Sequence, residues 1–314
     1  MLRKIVSLIV ALSVLLLPAA LAETVRVGAL KGPTAMGMVE MMKDKADDYE
    51  LTLCAAPDEI VPLLVKGELD IAAVPANLGS VLYNNTQGKV RALAINTLGV
   101  LYIMERGEEI NSIADLKGRT LVASGKGATP EYALNYILRG NGLDPEKDLT
   151  IEYKSEHSEC LAAMLQDESL VAMLPQPFAT VAMTKAEDLR LALDLTEAWD
   201  ELQADAEAPS TLVTGIAVAR TDFIEQNPDA VAKFMDDYRE SVTFVQQNEH
   251  DAAQLIGEFD IFEAGPAEKA LPYCNITFID GEDLKAKLGG YLAVLFDADP
   301  ASVGGALPGE DFYY

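Results

Sequence analysis

Short apolar runs alternate along the chain with longer stretches in which apolar residues recur every three or four positions, the pattern of an α/β protein. Val25–Leu30 reads as a first strand, Lys31-Gly32-Pro33-Thr34 as a turn, and Pro33 or Thr34 as the start of a helix with Met36, Val39 and Met42 at helical spacing. Residues 51–55 predict a second strand. Residues 58–66 predict a short helix stopped by Gly67, and residues 70–74 a third strand ended by Pro75. Between residues 91 and 104 two apolar runs flank Asn96-Thr97-Leu98-Gly99, which we read as a first crossing between two lobes. Further strands are expected at 120–123, 151–154, 170–174 and 216–220, with helices at 129–140 and 158–166. Thr129 and Pro130 open the first of these helices, and Glu131 sits in its first turn. From Asn227 onward the pattern is helical, and Val231, Phe234, Met235 and Tyr238 share one face. The reading is a two-lobed α/β chain, each lobe a mixed sheet flanked by helices, with two hinge crossings. Residues 24–98 form the first part of lobe one, 99–221 lobe two, and 222–314 the return to lobe one.

The N-terminus sets the expected compartment. Arg3 and Lys4 precede a 5–17 apolar stretch, Pro18 ends it, and Ala20-Leu21-Ala22 has the small-x-small cleavage pattern. Residues 1–22 are therefore expected to be a cleaved secretory signal peptide rather than an anchor, since a spanning helix needs about 20 apolar residues. No cysteine stands at the cleavage site to carry a lipid, so a free periplasmic protein is expected.

Charge narrows the partners. The formal net charge is −26, and loss of the signal peptide leaves −28. A chain this acidic is a poor ligand for nucleic acid or anionic membranes, which are bound through Lys and Arg. Half of the residues are hydrophobic, enough to build a large core. Cys54, Cys160 and Cys274 match no zinc spacing, and one disulfide at most is open to them. His157 and His250 are far apart and read as lone surface histidines. The loop Gly125-Lys126-Gly127 lacks the spacing of a nucleotide P-loop. No cofactor or metal is expected.

In α/β sheets, ligands sit beyond the carboxyl ends of strands, beside helix N-termini. That rule selects Gly32, Pro33, Thr34 and Met36 after the first strand, Pro75 and Asn77 after the third, and Thr97 and Leu98 at the crossing. On the other lobe it selects Ser124, Lys126, Gly127, Ala128 and Thr129, with Gln176 in Pro175-Gln176-Pro177 and Thr214 as an outside candidate. Asn77 and Gln176 stand out because a side-chain amide both donates and accepts. Thr129 also reads as a helix cap, Lys31 and Lys126 as solvated loop lysines, and Met36 and Met38 as an adaptable apolar wall, with core packing the alternative for at least one of the two. Tyr83, Tyr102, Tyr132 and Trp199 are the rings available to stack on a solute.

The ordered series of segments resembles ABC-importer solute-binding proteins of the nitrate, sulfonate (taurine, alkanesulfonate) and thiamine-precursor branch. The stretches that carry the resemblance are Val25-Arg26-Val27-Gly28, Lys66-Gly67-Glu68-Leu69-Asp70-Ile71-Ala72, Ile113-Ala114-Asp115-Leu116-Lys117-Gly118-Arg119-Thr120, Met173-Leu174-Pro175-Gln176-Pro177 and Asn227-Pro228-Asp229-Ala230-Val231. Gln176 stands where that family usually carries an acid. The resemblance implies a type II periplasmic binding fold. It also implies capture of a small organic solute or oxyanion (sulfonate, nitrate or pyrimidine-like) by hinge closure, and delivery by a monomer to ABC permease subunits. Two alternatives accompany it. One is an enzyme on the same fold, like a pyrimidine-precursor synthase or a menaquinone-pathway lyase. The other is a solute sensor for a membrane receptor. Three dispersed cysteines do not match the synthase's cysteine-rich motif, a signal peptide conflicts with a cytoplasmic lyase, and no Ser-His-Asp spacing stands out.

Overall fold

The computed structural model describes residues 24–206 and 209–314; the expected signal peptide, 1–22, lies outside the described residues. Among the described residues no helix is long and apolar enough to cross a membrane.

Strand β1 (Val25–Leu30) is buried along most of its length, as a strand covered on both faces must be. It is followed by α1 (Pro33–Met36), α2 (Val39–Asp44), β2 (Tyr49–Cys54), α3 (Pro57–Lys66), β3 (Ile71–Pro75), α4 (Ala76–Thr86) and β4 (Val90–Leu98). Then come β5 (Leu101–Arg106), β6 (Thr120–Ser124), α5 (Thr129–Gly140), β7 (Thr150–Lys154), α6 (His157–Gln166), β8 (Val171–Pro175), α7 (Phe178–Lys185), β9 (Leu189–Asp194) and α8 (Leu195–Gln203). The chain closes with β10 (Val213–Arg220), α9 (Thr221–Gln226), α10 (Pro228–Gln247), α11 (Glu249–Glu258), α12 (Ala264–Ala270), β11 (Ile276–Ile279) and α13 (Gly281–Ala298).

These strands make two mixed sheets. The first has the order β11-β4-β10-β3-β1-β2 and the second β7-β6-β8-β5-β9. In the first, β1 runs parallel to β2 and β3, while β10 is antiparallel to β3 and β4. In the second, β6 is parallel to β7 and β8, and β5 is antiparallel to β8 and β9. The chain passes from the first sheet to the second between β4 and β5, at residues 99–100. It returns earlier than the expected boundary at 221, because residues 213–220 already pair in the first sheet. Gly99 suits that passage for a steric reason: a Cβ there would meet the Thr196 hydroxyl at 2.1 Å.

Packing follows the hydrophobic pattern. On α10, Val231, Phe234, Met235, Tyr238, Val242 and Val245 are buried, one stripe at helical spacing. Fully burying each large apolar side chain is worth about 1.5–3 kcal/mol. Trp199 lies between Tyr136 and Tyr291, with ring centroids 4.6 and 5.4 Å away. Asp115 accepts from the amides of Asn111 and Ser112 at 3.0 and 2.9 Å, and Gly118 takes a φ of 78°, so the Asp-Leu-Lys-Gly segment is a strand-entering turn. Cys54, Cys160 and Cys274 are all buried and free.

Candidate functional site

The carboxyl ends of β1, β3, β4 and β8 point into the gap between the two sheets. There they enclose a cavity of about 100 Å³, lined by Gly32, Pro33, Thr34, Pro75, Thr97 and Gln176 among the sequence-selected residues. Leu30, Lys31, Val100, Pro130, Pro175, Phe178, Thr214 and His157 complete the wall. Larger hollows exist on the outer surface, but they lie away from these strand ends, among residues such as Asp48, Gln226 and Lys233.

Gln176 is 1% exposed. Its Oε1 accepts from the backbone amide and the hydroxyl of Thr180, at 3.2 and 2.8 Å. Because the Thr180 amide can only donate, the oxygen must face it. The amide nitrogen Nε2 is therefore turned away from α7, buried and without a partner. A buried amide that donates nothing costs roughly 1–3 kcal/mol. The Thr214 hydroxyl is also buried and unpartnered. Thr34 and Thr97 differ: their hydroxyls donate to the Leu30 carbonyl and to Asn96 Oδ1, at 2.8 and 3.1 Å. Two unsatisfied groups on one small cavity point to a ligand that accepts hydrogen bonds.

The other selected residues do different work. Met36 is fully buried in the core of the first sheet, so it packs rather than contacts a solute. Leu98 donates its amide to the Asn275 carbonyl and packs on the core. Asn77 is fully buried; its Nδ2 donates to the Ser302 carbonyl at 2.9 Å and approaches the Gly127 carbonyl at 3.5 Å. Thr129 donates to Asn77 Oδ1 at 3.3 Å, a tie between the two sheets' loops. Lys126, Gly127 and Ala128 line a second, wider hollow between the sheets, with Asp58, Glu59, Ser155 and Glu156. Ser124 is buried beneath the wall and contacts His157 Nδ1.

His157 corrects an expectation. It is not a lone surface residue: α6 begins at it, directly beyond β7, and this places its ring on the cavity with Phe178 at 5.5 Å. The signal was available, since a polar residue just past a strand end and opening a helix meets the same rule that selected Gln176. Phe178 was missed as well. The rings named for stacking lie elsewhere: Trp199 and Tyr102 are buried in cores, Tyr132 packs on one, and Tyr83 bonds Asp311.

Burial keeps the His157 imidazole neutral, with a pKa lowered to about 4 from 6.5. The sign of the consequence follows by linkage. Below pH 6.5 the unfolded chain takes up a proton that the folded chain refuses until about pH 4. Stability from this group is thus complete above that window and is lost as pH falls through it. Urea unfolding of wild type and His157→Gln should show the wild type losing more stability between pH 7 and pH 5. Equal losses would remove this role. No arginine of the described residues lines the cavity. Lys31 is held by Asp260 at 2.9 Å. Among the described residues no cluster of His, Cys, Asp and Glu is arranged to hold a metal.

The family model of ABC-transporter, phosphonate, periplasmic substrate-binding proteins matches residues 38–253. No curated protein matches the chain. Among solved structures, an ABC transporter protein from Parabacteroides distasonis aligns at 24% identity with a TM-score of 0.76, covering 93% of this chain and 98% of that one. The periplasmic aliphatic sulphonate binding protein SsuA from Escherichia coli aligns at 16% identity, TM-score 0.72, over 93% and 92%. The periplasmic nitrate-binding protein NrtA from Synechocystis PCC 6803 aligns at 15% identity, TM-score 0.65, over 89% and 84%. At these identities the likeness is one of fold: the two-lobed type II periplasmic binding architecture.

Proposed function

Because the chain belongs to the phosphonate-type family of ABC-transporter periplasmic substrate-binding proteins, we propose that the cavity between its two sheets is where it captures its solute. The chain is the solute-binding component of an ABC importer, with a small molecule and permease subunits as its partners. The observation that carries the site is Gln176 Nε2, buried at a strand end with its oxygen already committed. A lone donor is costly in a folded protein and is retained where a ligand satisfies it.

On this reading residues 24–98 and 213–314 act as one lobe and the second sheet with its helices as the other, closing about the crossings near Gly99 and ahead of Val213. Export by residues 1–22, a monomeric state and the absence of catalysis belong to the same proposal. Ser124 and His157 touch, but Ser124 is 2% exposed and, among the described residues, no carboxylate bonds the ring. A nucleophile needs both access and an oriented base.

A cross-lobe contact supports closure. Phe262, between α11 and α12, meets Phe178 of α7 edge-on at 5.2 Å. Such pairs contribute about 0.5–1.5 kcal/mol beyond their buried area. Phe262→Ala should therefore lower the closed population and the apparent affinity together, by about threefold to tenfold. Solution scattering should show a larger radius of gyration for the variant; an unchanged profile with unchanged affinity would rule the latch out.

The test of the reading is a thermal-shift and calorimetric screen of nitrate, sulfonates, methylphosphonate and pyrimidines. A ligand at a hundred times its Kd adds about 2.7 kcal/mol of stability. No shift with any compound, together with no mass difference between native and denatured protein purified from the periplasm, would overturn capture in this cavity.

A further inference from the structure

We infer that the captured solute is an uncharged molecule presenting a carbonyl-type acceptor, and not an oxyanion; this deepens, and rests on, the reading of the cavity as the solute site.

The first line of argument is what the cavity offers. Gln176 Nε2 and Thr214 Oγ1 are the buried groups on its wall with no partner. Both can donate, and a carbonyl oxygen has two lone pairs with which to accept from two donors. The rest of the wall is mostly apolar, with Leu30, Val100, Pro130 and Phe178 among its members. At about 100 Å³ the space admits only a compact molecule.

The second is what the cavity withholds. An anion taken out of water needs a cation or several free amides to offset its lost hydration. Lys31 is the one lysine on the wall, and its ammonium is turned to the exposed carboxylate of Asp260 at 2.9 Å; no arginine of the described residues joins it, and burial holds His157 in its neutral form. At the second hollow between the lobes, beside the cavity, the loop amides are already occupied by the chain's own carboxylates. Glu59 accepts from the Ala55 amide at 2.8 Å, Glu131 from Gly127 at 2.6 Å and Glu159 from Ser155 at 2.9 Å. Each acid lies four residues after the amide it caps, and an incoming anion would have to displace it against like charge. That hollow is bordered by two further acids, Asp58 and Glu156. These observations set this chain apart from what the family's description suggests.

Titration calorimetry at pH 7.5 and constant ionic strength decides the matter. The probes are 2-pyrrolidone and uracil as neutral carbonyl compounds, and nitrate, methanesulfonate and methylphosphonate as anions. They are run against wild type, Gln176→Leu and Thr214→Val, each checked for a wild-type melting profile. At least one neutral probe should bind tenfold or more tighter than every anion. Gln176→Leu should weaken that probe tenfold or more, and Thr214→Val threefold or more. If Gln176→Leu melts early, Thr214→Val carries the same comparison. An anion that binds as tightly as the neutral probes, and is weakened by either variant, overturns the neutral class while the cavity reading stands. Binding indifferent to both variants, or no binding by any probe, overturns the inference and the cavity reading together.

Discussion

Gln176→Glu should weaken solute capture by at least a hundredfold while leaving the protein folded. The Thr180 amide and hydroxyl would still find a carboxylate oxygen where they now find Oε1, so the cap on α7 survives. What changes is the other atom. A buried N–H donor becomes an oxygen that only accepts, set against a solute that also accepts. The loss combines a missing hydrogen bond to an otherwise satisfied group with an unpaired buried charge, and a hundredfold corresponds to about 2.7 kcal/mol. The measurement is calorimetry with the best ligand from the screen, beside a melting curve. An affinity within threefold of wild type would show that Nε2 does not touch the solute. Because a carboxylate only accepts, the substitution should also convert the site toward solutes that donate.

Asp70→Ala should lower stability by about 3 kcal/mol. Asp70 is 4% exposed and sits between two arginines. Arg26 donates to it through its backbone amide, Nε and Nη2, at 3.0, 3.0 and 2.6 Å, and Arg220 through Nη2 at 3.0 Å. Burial alone would raise the carboxyl pKa, but the hydrogen bonds from Arg26 and Arg220 outweigh it and hold it below the usual range. Removing one partner of a buried ion pair costs about 3–5 kcal/mol. The Arg26 side chain is 37% exposed and partly screened, so the lower end, about 3 kcal/mol, is expected. The pH dependence has a definite sign. A carboxyl with a depressed folded pKa stabilises above its unfolded pKa and stops doing so as pH falls through the folded one. Urea unfolding should therefore show the gap between wild type and Asp70→Ala narrowing below about pH 3.9. A gap that is small at pH 7, or constant down to pH 2, would contradict this account.

Asp70 also shows how far local sequence reaches. It was visible as part of a Gly-x-x-Asp step into the third strand, but its role required Arg26 and Arg220, 44 and 150 residues away in the chain. Asp115 could be understood completely in place, because it accepts from amides within a few residues. Gln176 lies between these cases. Its type and its position beyond a strand were legible. That its oxygen would be taken by Thr180, leaving the nitrogen free, depends on how α7 turns away from β8.

By itself the sequence determined the α/β class and the order of most strands and helices. Those follow from periodicity and turn chemistry, which act over a few residues. Only the tertiary structure decided that β10 rejoins the first sheet before residue 221, that Met36 is core, and that His157 and Phe178 share a wall with Gln176. It also decided which donors were left without partners. Sheet pairing and side-chain satisfaction depend on groups far apart in the chain, and no local pattern encodes which distant neighbour arrives.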